Sequence, residues 1–185
     1  VVIDEQHKFG VSQRQKLINR GFAPDALVMT ATPIPRTLTL TVYGDLDVSV
    51  IDELPSGRGK ITTYVRDAKK HLDEAINFLR TQIDEGRQAY IVYPLIEDSD
   101  KLDVSSVEGE FENWIKYLKP HNCELIHGKL KADEKDQIMD RFRSGEISAL
   151  ISTTVIEVGV DVPNASVMYI FNAERFGLAQ LHQLR

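Results

Sequence analysis

Cysteine is almost missing from this chain: Cys123 is the only one among 185 residues. No internal disulfide framework can form, so a reducing, intracellular setting is the default expectation. The chain also lacks any run of the roughly 18 consecutive apolar residues that a membrane-spanning helix requires. No basic-then-apolar opening marks a secretory signal. Positive charge is in slight deficit, with 22 Lys and Arg against 28 Asp and Glu for a net charge of −6. That deficit is local, because residues 97–112 alone place Glu97, Asp98, Asp100, Asp103, Glu108, Glu110 and Glu112 against Lys101. The rest of the chain is neutral overall, and net charge therefore does not exclude a nucleic-acid partner, which needs only a local basic strip.

What is present is a globular composition. Hydrophobic residues make up 42% and charged residues 27%, which excludes a disordered tail and a collagen. The first residues, Val1-Val2-Ile3, read as a buried strand without a starting methionine, and the last fall in a helix-like stretch. Neither end has a cap or a breaker, so the chain is expected to be a piece of a longer protein.

From Val1 to about Glu53 the pattern alternates strand, helix, strand, helix, strand. Ser12 with Gln15 suggests a capping box, Gly21 a helix stop, and Ala26 to Met29 a buried strand. Leu54-Pro55-Ser56-Gly57-Arg58-Gly59 is the best linker candidate, giving expected domains at 1–55 and 56–185. Beyond it, strands are expected near 61–65, 88–93, 124–127, 147–151 and 166–171. A helix over 69–85 carries Leu72, Ala75, Ile76, Leu79 and Ile83 on one face, capped by Asp67 and ended by Gly86. Another over 106–118 opens on a Ser105/Glu108 capping box and aligns Val107, Phe111, Trp114, Ile115 and Leu118. The unbroken apolar runs Tyr90-Ile91-Val92-Tyr93 and Ala149-Leu150-Ile151 suit strands covered on both faces. Such alternation predicts an α/β class with parallel, doubly wound sheets, one partial domain and one near-complete domain.

The chemistry-bearing residues fall at predicted strand ends. Ligands of a doubly wound sheet bind beyond the carboxyl ends of its strands, and Asp4-Glu5-Gln6-His7 follows the first strand directly. Nucleotide hydrolysis uses one carboxylate to hold Mg²⁺, usually through water, and another to activate the attacking water. Asp4 suits the first role and Glu5 the second, although an acidic pair can equally be a solvated turn. Thr30-Ala31-Thr32-Pro33 brings two hydroxyls to the same edge. In the second domain His127-Gly128-Lys129 and Ser152-Thr153-Thr154 follow strands, where amides and hydroxyls make phosphate sites, or else simply a turn and a helix cap. Glu157-Val158-Gly159-Val160-Asp161 offers a close backbone approach and a carboxylate. Lys129, Lys131, Lys135, Arg141 and Arg143 are interleaved with Asp133, Glu134, Asp136 and Asp140, which reads as an ordinary solvated helix face.

The order of these motifs carries more than any one of them. Asp4-Glu5-Gln6-His7, the stretch from Thr30 through Pro33-Ile34-Pro35-Arg36 to Thr37, the stretch from Ser152 to Ala165, and Glu174-Arg175-Phe176-Gly177-Leu178 with Gln180-Leu181-His182-Gln183-Leu184-Arg185 resemble motifs II, III, V and the start of VI of superfamily 2 helicases. The resemblance covers essentially the whole chain. Tyr93-Pro94-Leu95-Ile96-Glu97 and the acidic insert after it are more similar to the bacterial DNA helicases that remodel stalled forks and Holliday junctions than to transcription-repair coupling translocases.

The resemblance implies RecA-like domains of the P-loop type and an ATP-dependent, monomeric, cytoplasmic and nucleoid-associated motor acting on forked or branched DNA in repair and recombination. Asp4 would hold Mg²⁺ through water and Glu5 would activate water, with His7 beside them. His7, Thr30 and Thr32 would couple nucleotide state to domain movement. His127, Gly128, Thr153 and Thr154 would line the DNA backbone, Gly159 and Asp161 would face nucleotide, and Gln183 would begin motif VI. One departure matters: no Gly-Lys-Ser/Thr phosphate loop occurs in the 185 residues. The motif VI arginines would likewise lie beyond Arg185. The chain alone is therefore expected to hydrolyse ATP negligibly. The rival readings are a coupling-factor translocase, a non-catalytic helicase-like binding module, and an RNA helicase of the same superfamily.

Overall fold

The computed structural model describes residues 1–4, 25–30, 47–51, 61–94, 100–153 and 162–184. The chain divides into two compact units, Val1–Ile61 and Thr62–Leu184.

In the first unit β1 (Val2–Ile3) and β2 (Leu27–Val28) run parallel, with Val2 opposite Leu27 and Ile3 opposite Val28. Main-chain bonds from Leu27 N–H to Val1 O and from Met29 N–H to Ile3 O, both 2.8 Å, extend the pairing at either end. Ile3 is buried. The third strand expected before about Glu53 is not seen at residues 47–51, which pair with no described strand and leave Val48, Val50 and Ile51 exposed. The expected first helix with Ser12 and Gln15, and the linker at 54–59, lie outside the described residues.

The second unit contains α1 (Ala68–Asp84), β3 (Gln88–Val92), α2 (Asp100–Leu118), β4 (Cys123–Ile126), α3 (Ala132–Arg143), β5 (Ala149–Ser152), β6 (Ala165–Ile170), a 3-10 turn at Ala173–Arg175 and α4 (Leu178–Leu184). All four strands are parallel, in the order β4-β5-β3-β6. The two strands with continuous apolar sequence, β3 and β5, occupy the middle, where both faces must be covered. One face carries α1 and α2: Leu79, Ile83, Trp114 and Leu118 pack on Ala89, Ile91, Ala149 and Ile151. The other carries α3, whose Met139 and Phe142 pack on Ile126 and Leu150. Burying each of these large side chains contributes about 1.5–3 kcal/mol.

Local chemistry sets the helix limits. Asp67 accepts a bond from Lys69 N–H at the start of α1, and Gly86, at φ +83°, lets the chain turn after it. At α3 the Glu134 carboxylate accepts from Lys131 N–H. Three expectations fail here. Helix α2 begins at Asp100 rather than near 106, so Ser105 and Glu108 lie within the helix and do not cap it. Ile115 is exposed while Val107, Trp114 and Leu118 are buried, because it falls a helical step away from their stripe. Residues 61–65 form no ladder: Ile61 is 51% exposed, Tyr64 73% and Val65 92%.

Candidate nucleic-acid interface

Parallel pairing brings the carboxyl ends of all four strands of the second unit to one rim, and the register fixes which residues meet there. Ile126 lies opposite Ser152, and Ser152 lies opposite Val92. Val92 in turn lies opposite Ile170. One residue further along, His127, Thr153, Tyr93 and Phe171 therefore stand side by side across the rim. Tyr93 N–H donates to Ser152 O at 2.8 Å and Phe171 N–H to Val92 O at 2.9 Å, which carries the ladder to the edge.

Two groups on this rim are polar, buried and without a hydrogen-bond partner among the described residues: Nδ1 of His127 and Oγ1 of Thr153. A buried hydroxyl without a partner costs about 1–3 kcal/mol, and folds rarely keep one without a use. Gly128, beside His127, is exposed, and a Cβ added there would meet nothing within 4 Å. Its backbone is not left-handed. Neither local strain nor packing demands glycine at this position, whereas close approach by an external backbone would. The rim thus offers a hydroxyl, an imidazole and an unobstructed stretch of main chain, the set that contacts phosphate oxygens without reading sequence.

Aromatic rings pack together at the rim. Tyr93 stacks on Phe171 with ring centroids 4.8 Å apart, and Trp114 N–H donates to the Tyr93 hydroxyl at 2.8 Å. Burial pushes the Tyr93 hydroxyl up to about 12, against the Trp114 hydrogen bond and with a smaller push from Glu110. In the sequence Tyr93 reads as a strand residue and as the head of the Tyr93–Glu97 stretch that carries the resemblance, and neither reading reveals this tie. The sole signal was an aromatic at a strand end with a tryptophan on the following helix.

The basic residues near α3 serve the fold. Arg141 bonds Glu146 and Glu124, both at 2.8 Å, Arg143 bonds Asp140 at 2.6 Å, and Lys135 bonds Gly128 O at 3.1 Å. That agrees with reading them as a solvated helix face.

In the first unit Asp4 follows β1 and is exposed, and Thr30 lies just past β2 at the same edge of that parallel pair. Both are engaged by other groups. Among the described residues no three His, Cys, Asp or Glu side chains gather into a metal site. An exposed carboxylate at a strand end nonetheless fits Mg²⁺, which keeps most of its waters and needs only one or two carboxylates beside substrate phosphates. Gln183 is exposed on α4 and also engaged. Glu5, His7, Thr32, Thr154, Gly159 and Asp161 lie outside the described residues.

A parallel sheet covered on both faces by helices defines a doubly wound, RecA-like class of α/β domain. Residues 68–185 match the helicase conserved C-terminal domain, and the chain belongs to that family. Among curated proteins it is 55% identical over 188 residues to the ATP-dependent DNA helicase RecG of Bacillus subtilis, covering 100% of this chain and 27% of the relative. It is 54% identical over 186 residues to RecG of Thermotoga maritima, covering 24% of that relative. The chain thus spans about a quarter of the length of these relatives. Among solved structures, a variant of S. cerevisiae Dbp5 bound to RNA and ADP BeF3 matches with a TM-score of 0.53 at 17% identity, covering 90% of this chain and 42% of that one. At that identity the likeness concerns the fold alone.

Proposed function

We propose that this chain is part of an ATP-dependent DNA helicase of the RecG kind, a double-stranded DNA translocase that remodels stalled forks and Holliday junctions in the bacterial cytoplasm. Residues 1–55 are the end of its first RecA-like domain and 56–185 most of its second. Identity of 54–55% to RecG helicases over the whole chain supports the reading. The single observation that carries it is the pair of unpartnered buried polar atoms, His127 Nδ1 and Thr153 Oγ1, on adjacent strand ends beside the open backbone of Gly128.

In this reading Thr153 donates its hydroxyl proton to a phosphate oxygen, His127 supplies a ring N–H, and Gly128 lets the strand approach closely, with Thr154 continuing the track. Grip on phosphate rather than bases makes the motion sequence-independent and salt-sensitive. Asp4 would hold Mg²⁺ through water, the ion would neutralise phosphate charge, Glu5 would take the proton of the attacking water, and His7, Thr30 and Thr32 would couple the nucleotide state to movement. Gly159, Asp161 and Gln183 serve the nucleotide side of the second domain. Bound ATP would supply phosphate charge for these residues to hold, and its hydrolysis would release that hold.

The test uses the longer protein. The double variant His127→Ala, Thr153→Val should weaken duplex DNA binding and DNA-stimulated ATP hydrolysis together, while unstimulated hydrolysis persists. Unchanged DNA affinity at low salt refutes the assignment. Glu5→Gln separates a motor from a non-catalytic module: a motor loses ATP hydrolysis and keeps DNA, whereas a module is indifferent. The chain by itself should show negligible ATP turnover with forked DNA, and turnover comparable to the longer protein would refute that expectation.

A further inference from the structure

The turn that joins β4 to α3 carries His127 and Gly128, and most of it is anchored by its own residues. Leu130 N–H donates to His127 O at 3.2 Å and closes a four-residue turn. Leu130 packs with Ile126 and Met139 in the core under α3. The Glu134 carboxylate accepts from Lys131 N–H at 3.0 Å. What remains is the peptide between Gly128 and Lys129, the central unit of the turn, whose rotation interconverts the common turn types. Gly128 is exposed and has no side chain with which to hold it.

That peptide is held from outside the turn. Lys135, one helical turn into α3, donates from Nζ to Gly128 O at 3.1 Å. Lys129 and Lys131 are exposed, whereas Lys135 is half-buried. Among the described residues no carboxylate pairs with Lys135, although Asp133, Glu134 and Asp136 surround it in the sequence. Helical spacing gives the reason: the positions three and four away hold Lys131, Ala132, Ile138 and Met139, and none of these is acidic. Ordering so long a side chain costs about as much as one ammonium–carbonyl bond returns, so the contact adds little to stability. Its effect is on direction. A carbonyl oxygen turned outward presents negative charge to an approaching phosphate, and Lys135 keeps this oxygen on the side of α3.

We propose that Lys135 is a positioning residue for the grip on the DNA backbone. It fixes the central peptide of the 127–130 turn, and through it the open approach at Gly128 and the ring of His127, without touching phosphate itself. Lys135 has this role only if the rim is the nucleic-acid contact, and the test separates the two assignments. In the longer protein, Kd for duplex DNA is measured across a salt series for Lys135→Met, which keeps the stem and loses the donor, and for Lys135→Arg, which keeps a charged donor. Lys135→Met should raise Kd about three- to tenfold. The slope of log Kd against log salt should stay as it was, whereas loss of a direct phosphate contact lowers it by about 0.9. Lys135→Arg should recover most of the affinity. In the His127→Ala, Thr153→Val background, Lys135→Met should add much less than it does alone, because groups acting through one another are not additive. A slope lowered by about 0.9 overturns the proposal in favour of direct phosphate contact. Full additivity overturns it too, and so does an equal loss in the Met and Arg variants. If Lys135→Met leaves Kd unchanged while the His127→Ala, Thr153→Val pair weakens binding, positioning fails and the rim stands. If neither changes Kd, both assignments fall.

Discussion

Replacing Thr153 by valine should make the protein more stable and a worse DNA binder. Thr153 is 3% exposed and its hydroxyl has no hydrogen-bond partner among the described residues. Valine has nearly the same shape and nothing to desolvate. An unsatisfied buried hydroxyl costs about 1–3 kcal/mol, and the exchange returns the larger part of that. For a unit of the size of Thr62–Leu184, a gain of about 1–2 kcal/mol raises Tm by roughly 3–8 °C. In the longer protein the same change deletes a hydrogen bond to a charged phosphate, worth about 1.5–3 kcal/mol, or about a 10- to 100-fold rise in Kd for duplex DNA. Thermal melting of the chain and fluorescence anisotropy of the longer protein with labelled duplex read the two quantities. Opposite signs are the signature of a group kept for a ligand. If Thr153→Val lowers Tm, or leaves DNA affinity unchanged, the rim is a structural strand end and the reasoning fails.

Gly128→Ala should leave Tm nearly unchanged, since the added Cβ meets nothing and the backbone is not left-handed, yet weaken DNA binding. A fall in Tm as large as the loss in affinity refutes the close-approach role. Gln88 is buried and its amide donates to the Phe142 and Ile147 carbonyls at 2.6 and 2.7 Å. Gln88→Met should therefore cost about 1–3 kcal/mol by denaturant titration, and a smaller effect would show that the carbonyls find other donors. Alkaline stability follows from two raised groups. Burial pushes Cys123 from 9.0 to about 12 and Tyr93 from 10.0 to about 12. Both are neutral when protonated, so the unfolded chain loses these protons first. Stability should then hold below about pH 9 and decline from there toward pH 12. In Cys123→Ala the decline should begin nearer pH 10, and an unchanged onset measured by denaturation against pH refutes the assignment. Asp67→Ala removes the α1 cap and should cost about 0.5–2 kcal/mol. An unchanged denaturation midpoint would show that the helix start is held by packing instead.

Much of the fold could be read from local pattern. Helix α1 declares itself by its apolar stripe, the Asp67 cap and Gly86, and β3 and β5 by unbroken apolar runs. In each case the determining interactions lie within a few residues. The start of α2 could not be read. Ser105 and Glu108 imitate a capping box, and nothing local distinguishes a helix that begins at one from a helix that runs through it. The strand signal at 61–65 is equally local and equally incomplete, because a strand is completed by a partner edge rather than by its own residues.

By itself the sequence determined composition, periodicity and motif order, and with them the parallel α/β class and the helicase C-terminal family. Those properties are carried by residues near one another along the chain. Tertiary structure decided which of the candidate polar groups stand together. The register of β4 on β5 sets His127 beside Thr153, residues 26 positions apart in the sequence, and leaves both without a side-chain partner among the described residues. Burial and hydrogen-bond satisfaction depend on everything that packs around a group, and that sum exists only once the chain has folded.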